Sequence, residues 1–348
     1  FVQSRGLMQA VRIHTHGGPE VLQVESIPNP EPMVGEVVVQ IKAAALNHLD
    51  LWVRRGISGV PLPMILGSDG SGVISDVGEN ISQFSNGDAV CIQPLTYCGH
   101  CQFCRSGREN YCDNMGILGE SQDGTQCEFI AVPEKNVRLK PENLSFQEAA
   151  AFPLTAQTAY TMLVRRAKVE PGETVLVWGA GSGVGTMAIQ IAKAKGCQVI
   201  ATGGSEQKRS HASKLDADLV LDHYEDNIVK SVKAFTDGRG ADVVFEHVGK
   251  ATWETSMRLL AKGGRIVTCG ATTGPKVGID LRHLFSKQQT ILGSTMGDVA
   301  AFDDCVSLVS EGKIKPIVDQ SFDLENIKSA HEYLEKGEQI GKVILLPE

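Results

Sequence analysis

The chain has 348 residues, 42% hydrophobic and 21% charged, with a formal net charge of −8. That length allows two domains with sizeable cores. The charge disfavours nucleic acid, and no apolar run reaches the roughly 18 residues that cross a bilayer.

Phe1–Leu7 is too short and polar for a secretion signal. The native chain is expected to begin near Met8, with residues 1–7 foreign to it. From Met8 to about Val132 short β-branched or alternating runs recur: Ala10–Ile13, Val21–Val24, Glu36–Ala44, Gly72–Val77, Ala89–Ile92 and Glu128–Val132. Gly, Pro and Asn turns separate them, which reads as a compact β domain. Pro28, Pro30 and Pro32 stiffen one connection.

Within this domain Cys98, Cys101, Cys104 and Cys112 are spaced C-x2-C-x2-C-x7-C. Four thiolates at this spacing can close a tetrahedral zinc site with no open position, a structural role. Zinc would order a lobe (about residues 95–115) too polar to bury itself. An iron–sulfur cluster and four free thiols are the alternatives. The other five cysteines (Cys91, Cys127, Cys197, Cys269, Cys305) sit in apolar contexts and read as core fillers. Nine cysteines without a secretion signal point to a reducing, cytoplasmic compartment.

From about Phe146 helices alternate with short apolar strands. The clearest unit runs from Glu173 to Gly204. Val175-Leu176-Val177-Trp178 is a buried strand, and Gly179-Ala180-Gly181-Ser182-Gly183-Val184-Gly185 is a turn. Val184, Met187, Ala188 and Ile191 then share one helix face, and Val199-Ile200-Ala201 opens a second strand. Strand, glycine turn, helix and strand form a dinucleotide-binding hypothesis. Glycines let backbone approach a pyrophosphate, and the helix's first N–H groups point at it. The run reads G-x-G-x-G-V-G rather than a strict G-x-G-x-x-G. A βαβ unit without nucleotide is the bland alternative.

Further strands are expected at Leu219–Leu221, Val243–Phe245, Arg265–Thr268 and Thr290–Gly293. Helices fall between, as at Asn227–Phe235 and Thr252–Leu260. Six parallel strands make a doubly wound sheet. Helices near Phe302–Ser310 and Leu324–Glu335 and a strand Lys342–Leu346 close the chain.

This succession resembles the medium-chain dehydrogenase/reductase superfamily over essentially the whole chain from Met8. The resemblance implies an α/β architecture: a GroES-like β-rich catalytic domain (8–154 and 298–348) and a Rossmann domain (155–297), with the active site in the cleft. It implies one structural zinc per subunit on Cys98, Cys101, Cys104 and Cys112. In the branch with a second, catalytic zinc, the ligands fall at Asn47, Ser68 and near Leu154, and the proton-relaying hydroxyl at Leu49. None of these residues suits that chemistry, although His48, Asp50 and Asp69 leave a makeshift site open. Asn47–Gly56 instead matches the N-x-x-D-x-x-x-R-x-G pattern of the zinc-free quinone oxidoreductase and enoyl reductase branch, as Gly67-Ser68-Asp69 matches its G-[ST]-[ED]. That branch usually lacks the four-cysteine lobe.

The strand ending Ala201-Thr202-Gly203-Gly204-Ser205 carries no carboxylate for a ribose 2′-OH, and Lys208 and Arg209 follow. A cation about 5 Å from a 2′-phosphate gains roughly 3 kcal/mol at an effective dielectric near 20. The expected cofactor is NADPH rather than NADH, with Ser205 and Lys208 on the phosphate and Arg209 stacking on adenine. His223 lies where relatives carry a Tyr near the phosphate; a surface histidine is the other reading. A solvated helix start is the other reading of the two cations.

The resemblance adds Gly181, Ser182, Gly183 and Val184 at the pyrophosphate, Thr158, Val248-Gly249 and Gly270-Ala271-Thr272 as cofactor contacts, Ser294-Thr295-Met296 beside the nicotinamide, and Lys342 near the cleft. It also implies a homodimer or homotetramer paired through Thr290–Ser294.

The expected reaction is hydride transfer from NADPH to an enone, enal or quinone without a catalytic zinc. Asn47 would bind the substrate oxygen and His48 supply the proton. Asp50 would hold the Arg54 segment. A backbone-bonded buried histidine is the other reading of His48. A zinc-type alcohol or aldehyde dehydrogenase is the rival enzyme. A non-catalytic NADPH-binding regulator is the rival of another class.

Overall fold

The computed structural model describes residues 6–347. Two compact units divide the chain. One runs up to Leu154 and resumes at Pro316, and the other spans Thr155–Lys315. The chain re-enters the first unit after Lys315, where the family resemblance implied a crossing at 297/298. Side-chain bonds set the difference. Gln157 donates to the carbonyls of Gly297 at 2.7 Å and Asp298 at 3.1 Å. Gln190 donates to the Lys315 carbonyl at 3.0 Å and accepts from its N–H at 2.8 Å. The helix between them, Val299–Ser310, therefore stays with the second unit.

The first unit is built on a seven-stranded sheet. Its order is Val137–Leu139, Ala89–Ile92, Asp69–Val77, Glu36–Ala45, Lys342–Leu346 and Val318–Asp323, with Phe129–Pro133 also paired to Glu36–Ala45. The last strand of the sequence pairs antiparallel with Glu36–Ala45, setting Ile344 opposite Ala45. The last strands of the chain thus complete a sheet begun at Glu36–Ala45, around Val37, Val39, Ile41, Ile74, Val90 and Val343. The expected strand at Val21–Val24 is displaced. Pro19 opens a single 3-10 turn at Pro19–Val21, and the strand runs Gln23–Pro28, because proline's fixed φ suits a first helical position. Leu7 already belongs to the first strand; the expectation for the rest of residues 1–7 lies almost wholly outside the described residues.

The second unit is a six-stranded sheet, and every pairing in it is parallel. Its order is Leu219–Asp222, Gln198–Gly203, Thr174–Val177, Ala241–Glu246, Leu260–Thr268 and Thr290–Gly293. Continuous apolar runs buried on both faces produce this sheet, since crossover helices cover it on either side. The order reverses at Thr174–Val177, so a crevice opens beyond its carboxyl end, where such sheets take ligands. Thr290–Gly293 lies at the open end. The helix Pro153–Tyr160 continues into one π-helical stretch, Thr161–Arg166, which the sequence pattern did not announce.

Candidate functional site

Three elements of the first unit converge on a buried polar cluster. Asn47 follows the strand Glu36–Ala45, Asp69 opens Asp69–Val77, and Lys342 opens the last strand. The Lys342 ammonium donates to Asn47 Oδ1 at 2.5 Å and to Asp69 Oδ2 at 3.0 Å. Asn47 Nδ2 donates to the same Asp69 oxygen at 2.9 Å and to the Ala45 carbonyl at 3.4 Å. The other Asp69 oxygen accepts the Leu154 N–H at 2.8 Å. The Lys342 side chain is 4% exposed and that of Asp69 0%. A buried carboxylate is tolerated when donors saturate its oxygens, and here a lysine and two N–H donors do so. The sequence reading placed Asp69 in the Gly67-Ser68-Asp69 motif and as a makeshift ligand; its pairing with a lysine 273 positions away shows it bonded into this cluster.

Asp50 sits at the third position of the helix His48–Arg55 and accepts the Asn47 N–H at 2.7 Å, a capping arrangement. Its other oxygen accepts the Gly67 N–H at 3.1 Å. Gly67 has φ +99°, and a Cβ there would lie 2.6 Å from Gln126 Cγ, so no side chain fits at this approach. Burial pushes the Asp50 carboxyl up to about 7, against the lowering effect of the Asn47 N–H and Lys342. Asp50 holds the Arg54 segment by capping its helix, without touching Arg54. That buried guanidinium donates to Gly17 O, to His331 Nδ1 at 3.2 Å and to Glu335, which fastens the helix to Ile327–Lys336. The sequence reading stopped at the pattern and missed the two partners in the last helix. His48 is half-buried, its ring 6.5 Å from that of Trp52.

The positions that would hold a catalytic zinc do not fit one. Asn47 is committed to Lys342 and Asp69, Ser68 Oγ donates to the Leu118 carbonyl at 2.8 Å, and Leu154 offers only an N–H. An ammonium is bonded to the same cluster, and a metal cation is repelled by it. His48, Asp50 and Asp69 do not assemble into a ligand set. Among the described residues the one such cluster is Cys98, Cys101, Cys104 and Cys112, whose Sγ atoms all lie within 4.8 Å of one another.

That cluster fits zinc by its donors. The short helix Gln102–Arg105 turns Cys101 and Cys104 to one side. Backbone N–H groups point at the sulfurs, from His100 and Cys101 to Cys98, from Cys104 to Cys101, and from Asn114 to Cys112. The first two lower the Cys98 thiol to about 6, so the thiolate a metal needs is favoured. Of the remaining cysteines four are buried, but Cys269 is half-buried and lines a cavity.

The second unit gathers most of the expected nucleotide contacts at its crevice. Gly179 has φ +64°, and a Cβ on Gly185 would lie 2.3 Å from the Gly179 carbonyl, so the turn folds onto the helix only with glycine there. Ser182 caps the helix Gly183–Ala194 through the Gly185 N–H. The Lys208 stem lies against Gly181, where a Cβ would meet its Cγ at 2.8 Å. Ser205 caps the helix that carries Lys208, and His223 packs against Gly204 with its Nδ1 3.3 Å from Thr202 Oγ1. Burial lowers the His223 imidazole, so it is neutral near pH 7. Arg209 is held by Asp222 and the Gly203 carbonyl, which fixes its guanidinium and offsets its charge.

Gly270, Ala271, Ser294 and Thr295 line a cavity of about 380 Å³ together with Gly249 and Cys269. Val248, Thr272 and Met296 flank this lining rather than forming it; Val248 O accepts from Thr273, and Thr272 Oγ1 donates to His247 O at 3.2 Å. Among the described residues no partner takes the shielded Thr158 Oγ1 or Ser294 Oγ. Orphaned buried hydroxyls suit a polar ligand, and a dinucleotide fits the glycine turn with its capped helix and the cavity that Ser294 lines.

The family profile described as "Alcohol dehydrogenase GroES-like domain" matches residues 34–142, and the one described as "Zinc-binding dehydrogenase" matches 183–311. An NAD-dependent alcohol dehydrogenase of Sulfurisphaera tokodaii is 34% identical, covering 98% of this chain and 100% of its own. A quinone oxidoreductase of Salmonella typhimurium is 32% identical over 97% of this chain and 99% of its own. Among solved structures, an NAD-dependent alcohol dehydrogenase superposes with a TM-score of 0.95 at 46% identity, over 98% of this chain and all of that one.

Proposed function

The chain belongs to the medium-chain dehydrogenase/reductase superfamily, in its zinc-type alcohol dehydrogenase-like part, and from that premise we propose that it is an NADPH-dependent reductase of electron-poor acceptors that works without a catalytic zinc. Membership makes it an NAD(P)-dependent oxidoreductase; the acceptor, the phosphate preference and the metal-free centre are the proposal. The observation that carries it is Lys342 bonded to Asn47 and Asp69 at 2.5 and 3.0 Å, in place of a metal-binding set. A neutral ketone needs strong polarisation to accept hydride. An enone, enal or quinone spreads the arriving charge onto oxygen and needs only hydrogen-bond donors and a proton.

Bound NADPH supplies the hydride. Gly181, Ser182 and the first turn of Gly183–Ala194 take the pyrophosphate, and Ser205 with Lys208 takes the 2′-phosphate. Thr158 and Ser294 offer their unpartnered hydroxyls. Asn47, with both amide N–H groups committed, positions Lys342 rather than binding substrate itself. His48, half-buried at the helix start, supplies the proton. Zinc held by Cys98, Cys101, Cys104 and Cys112 would have a closed thiolate shell and serve structure alone.

The test is the product formed from NADPH and a small α,β-unsaturated aldehyde. A saturated aldehyde supports this reading, and His48→Gln should then reduce turnover at least tenfold with NADPH affinity unchanged. An allylic alcohol would mean carbonyl polarisation and favour the alcohol dehydrogenase chemistry named for two of the relatives. Tight NADPH binding with no turnover on any acceptor would make the protein a regulator.

A further inference from the structure

We propose that the ring of Tyr224 is the platform on which the adenine of the bound dinucleotide stacks; this deepens the cofactor reading above and rests on it. The covalent structure of the ligand places the base. In NADPH the adenine and the 2′-phosphate sit on neighbouring carbons of one ribose. A phosphate held at Ser205 and Lys208 therefore leaves the base within reach of whatever flanks Ser205. Gly204, the residue before it, is flanked by Tyr224. A Cβ on Gly204 would lie 2.5 Å from Tyr224 Cε2 and 2.6 Å from His223 Nε2, so both rings rest directly on the backbone at the end of the strand Gln198–Gly203. All of these residues belong to the second unit.

Tyr224 is 78% exposed, more than any other large hydrophobic side chain of the described residues, so a base reaches its ring without displacing protein. The ring is also held in place. Its backbone N–H donates to Asp222 Oδ1 at 2.9 Å, and the ring stands at 79° to that of His223 with centroids 4.4 Å apart. An aromatic side chain fixed before the ligand arrives loses little entropy on stacking. Arg209, the stacking group expected from the sequence, is tied back to Asp222 and the Gly203 carbonyl. The charge of the loop points the same way. Glu225 and Asp226 are exposed next to Tyr224, which repels a phosphate and leaves an uncharged, flat base as the matching group.

The test titrates two ligands, NADPH and 2′,5′-ADP, which carries the adenine and the 2′-phosphate without the nicotinamide. The full-length, zinc-loaded protein is compared with Tyr224→Ala and Tyr224→Phe, both surface changes that leave the core untouched. The expected result is about tenfold weaker binding of both ligands by Tyr224→Ala, with Tyr224→Phe within about twofold of wild type. Binding to wild type should also lower absorbance in the adenine band, a change lost in Tyr224→Ala. Wild-type affinity in Tyr224→Ala would make the ring a cover for Gly204 and overturn the inference. An equal loss in Tyr224→Phe would assign the effect to the hydroxyl rather than the ring face and overturn it as well. So would a loss for NADPH alone with 2′,5′-ADP unchanged, which places the contact on the other half of the cofactor. Wild type that binds NADH as tightly as NADPH fails the phosphate reading instead; adenine is common to both, and the Tyr224 comparison is then read on NADH.

Discussion

Asp50 carries the clearest single-residue consequence. Burial raises its carboxyl from an ordinary 3.8 to about 7, so between those values the folded chain holds a proton that the unfolded chain has released. Stability from this group is fully present below about pH 4 and is lost as pH rises through 7, at up to about 1.4 kcal/mol per pH unit. Asp50→Asn removes this dependence, so denaturation midpoints measured between pH 5 and 7 should fall less in the variant than in wild type. Equal slopes would show that the site is wetter than its geometry implies. Lys208 is the second case. Arg209 is offset by Asp222, so the phosphate preference rests on Lys208 and Ser205. Lys208→Gln should weaken NADPH roughly tenfold or more and leave NADH within twofold, read by titration of both cofactors. A wild type that binds both equally would rule out the preference.

The cysteine lobe and the glycine turn show how far an element can be read from its own sequence. Both are local: each packs its chemistry into fewer than twenty consecutive residues, so spacing alone defines the donor set or the cradle. The lobe has few apolar residues to bury, and its order depends on the metal. Stripping the holoprotein with a chelator should release one zinc per chain and open residues 98–112 to proteolysis. NADPH binding by Thr155–Lys315 should persist. Release of two zinc ions would contradict the centre described for Lys342. The helix His48–Arg55 shows the opposite case. Its pattern was visible, but what anchors it, Arg54 on His331 and Glu335, lies about 280 positions away.

At the scale of the molecule, a parallel sheet whose last strand is paired on one side only, Thr290–Gly293, leaves a row of unsatisfied backbone groups. Leu281 and Phe285 are exposed on the segment just before it. A homodimer or tetramer that covers this edge is the expectation, and light scattering at micromolar concentration decides it. A monomer would mean that the edge stays open and would remove the pairing inferred from the family. No described helix is long and apolar enough to cross a membrane, in keeping with the absence of a long apolar run in the sequence.

Periodicity and spacing were enough for the sequence by itself to determine the two architectures, the four-thiol lobe and the glycine cradle, because each depends on residues close along the chain. Only the tertiary structure decided what occupies the centre. Asn47, Asp69 and Lys342 are separated by up to 295 positions, and no local pattern encodes their meeting. The pairing exists because the last strand is laid against Glu36–Ala45, which delivers one ammonium to the start of the Asp69–Val77 strand. That placement turned Asn47 from a free donor into a committed one, while the bonds of Gln157 and Gln190 keep the chain in the second unit as far as Lys315. Contacts of this range follow from how buried strands order themselves, and a linear reading does not contain that order.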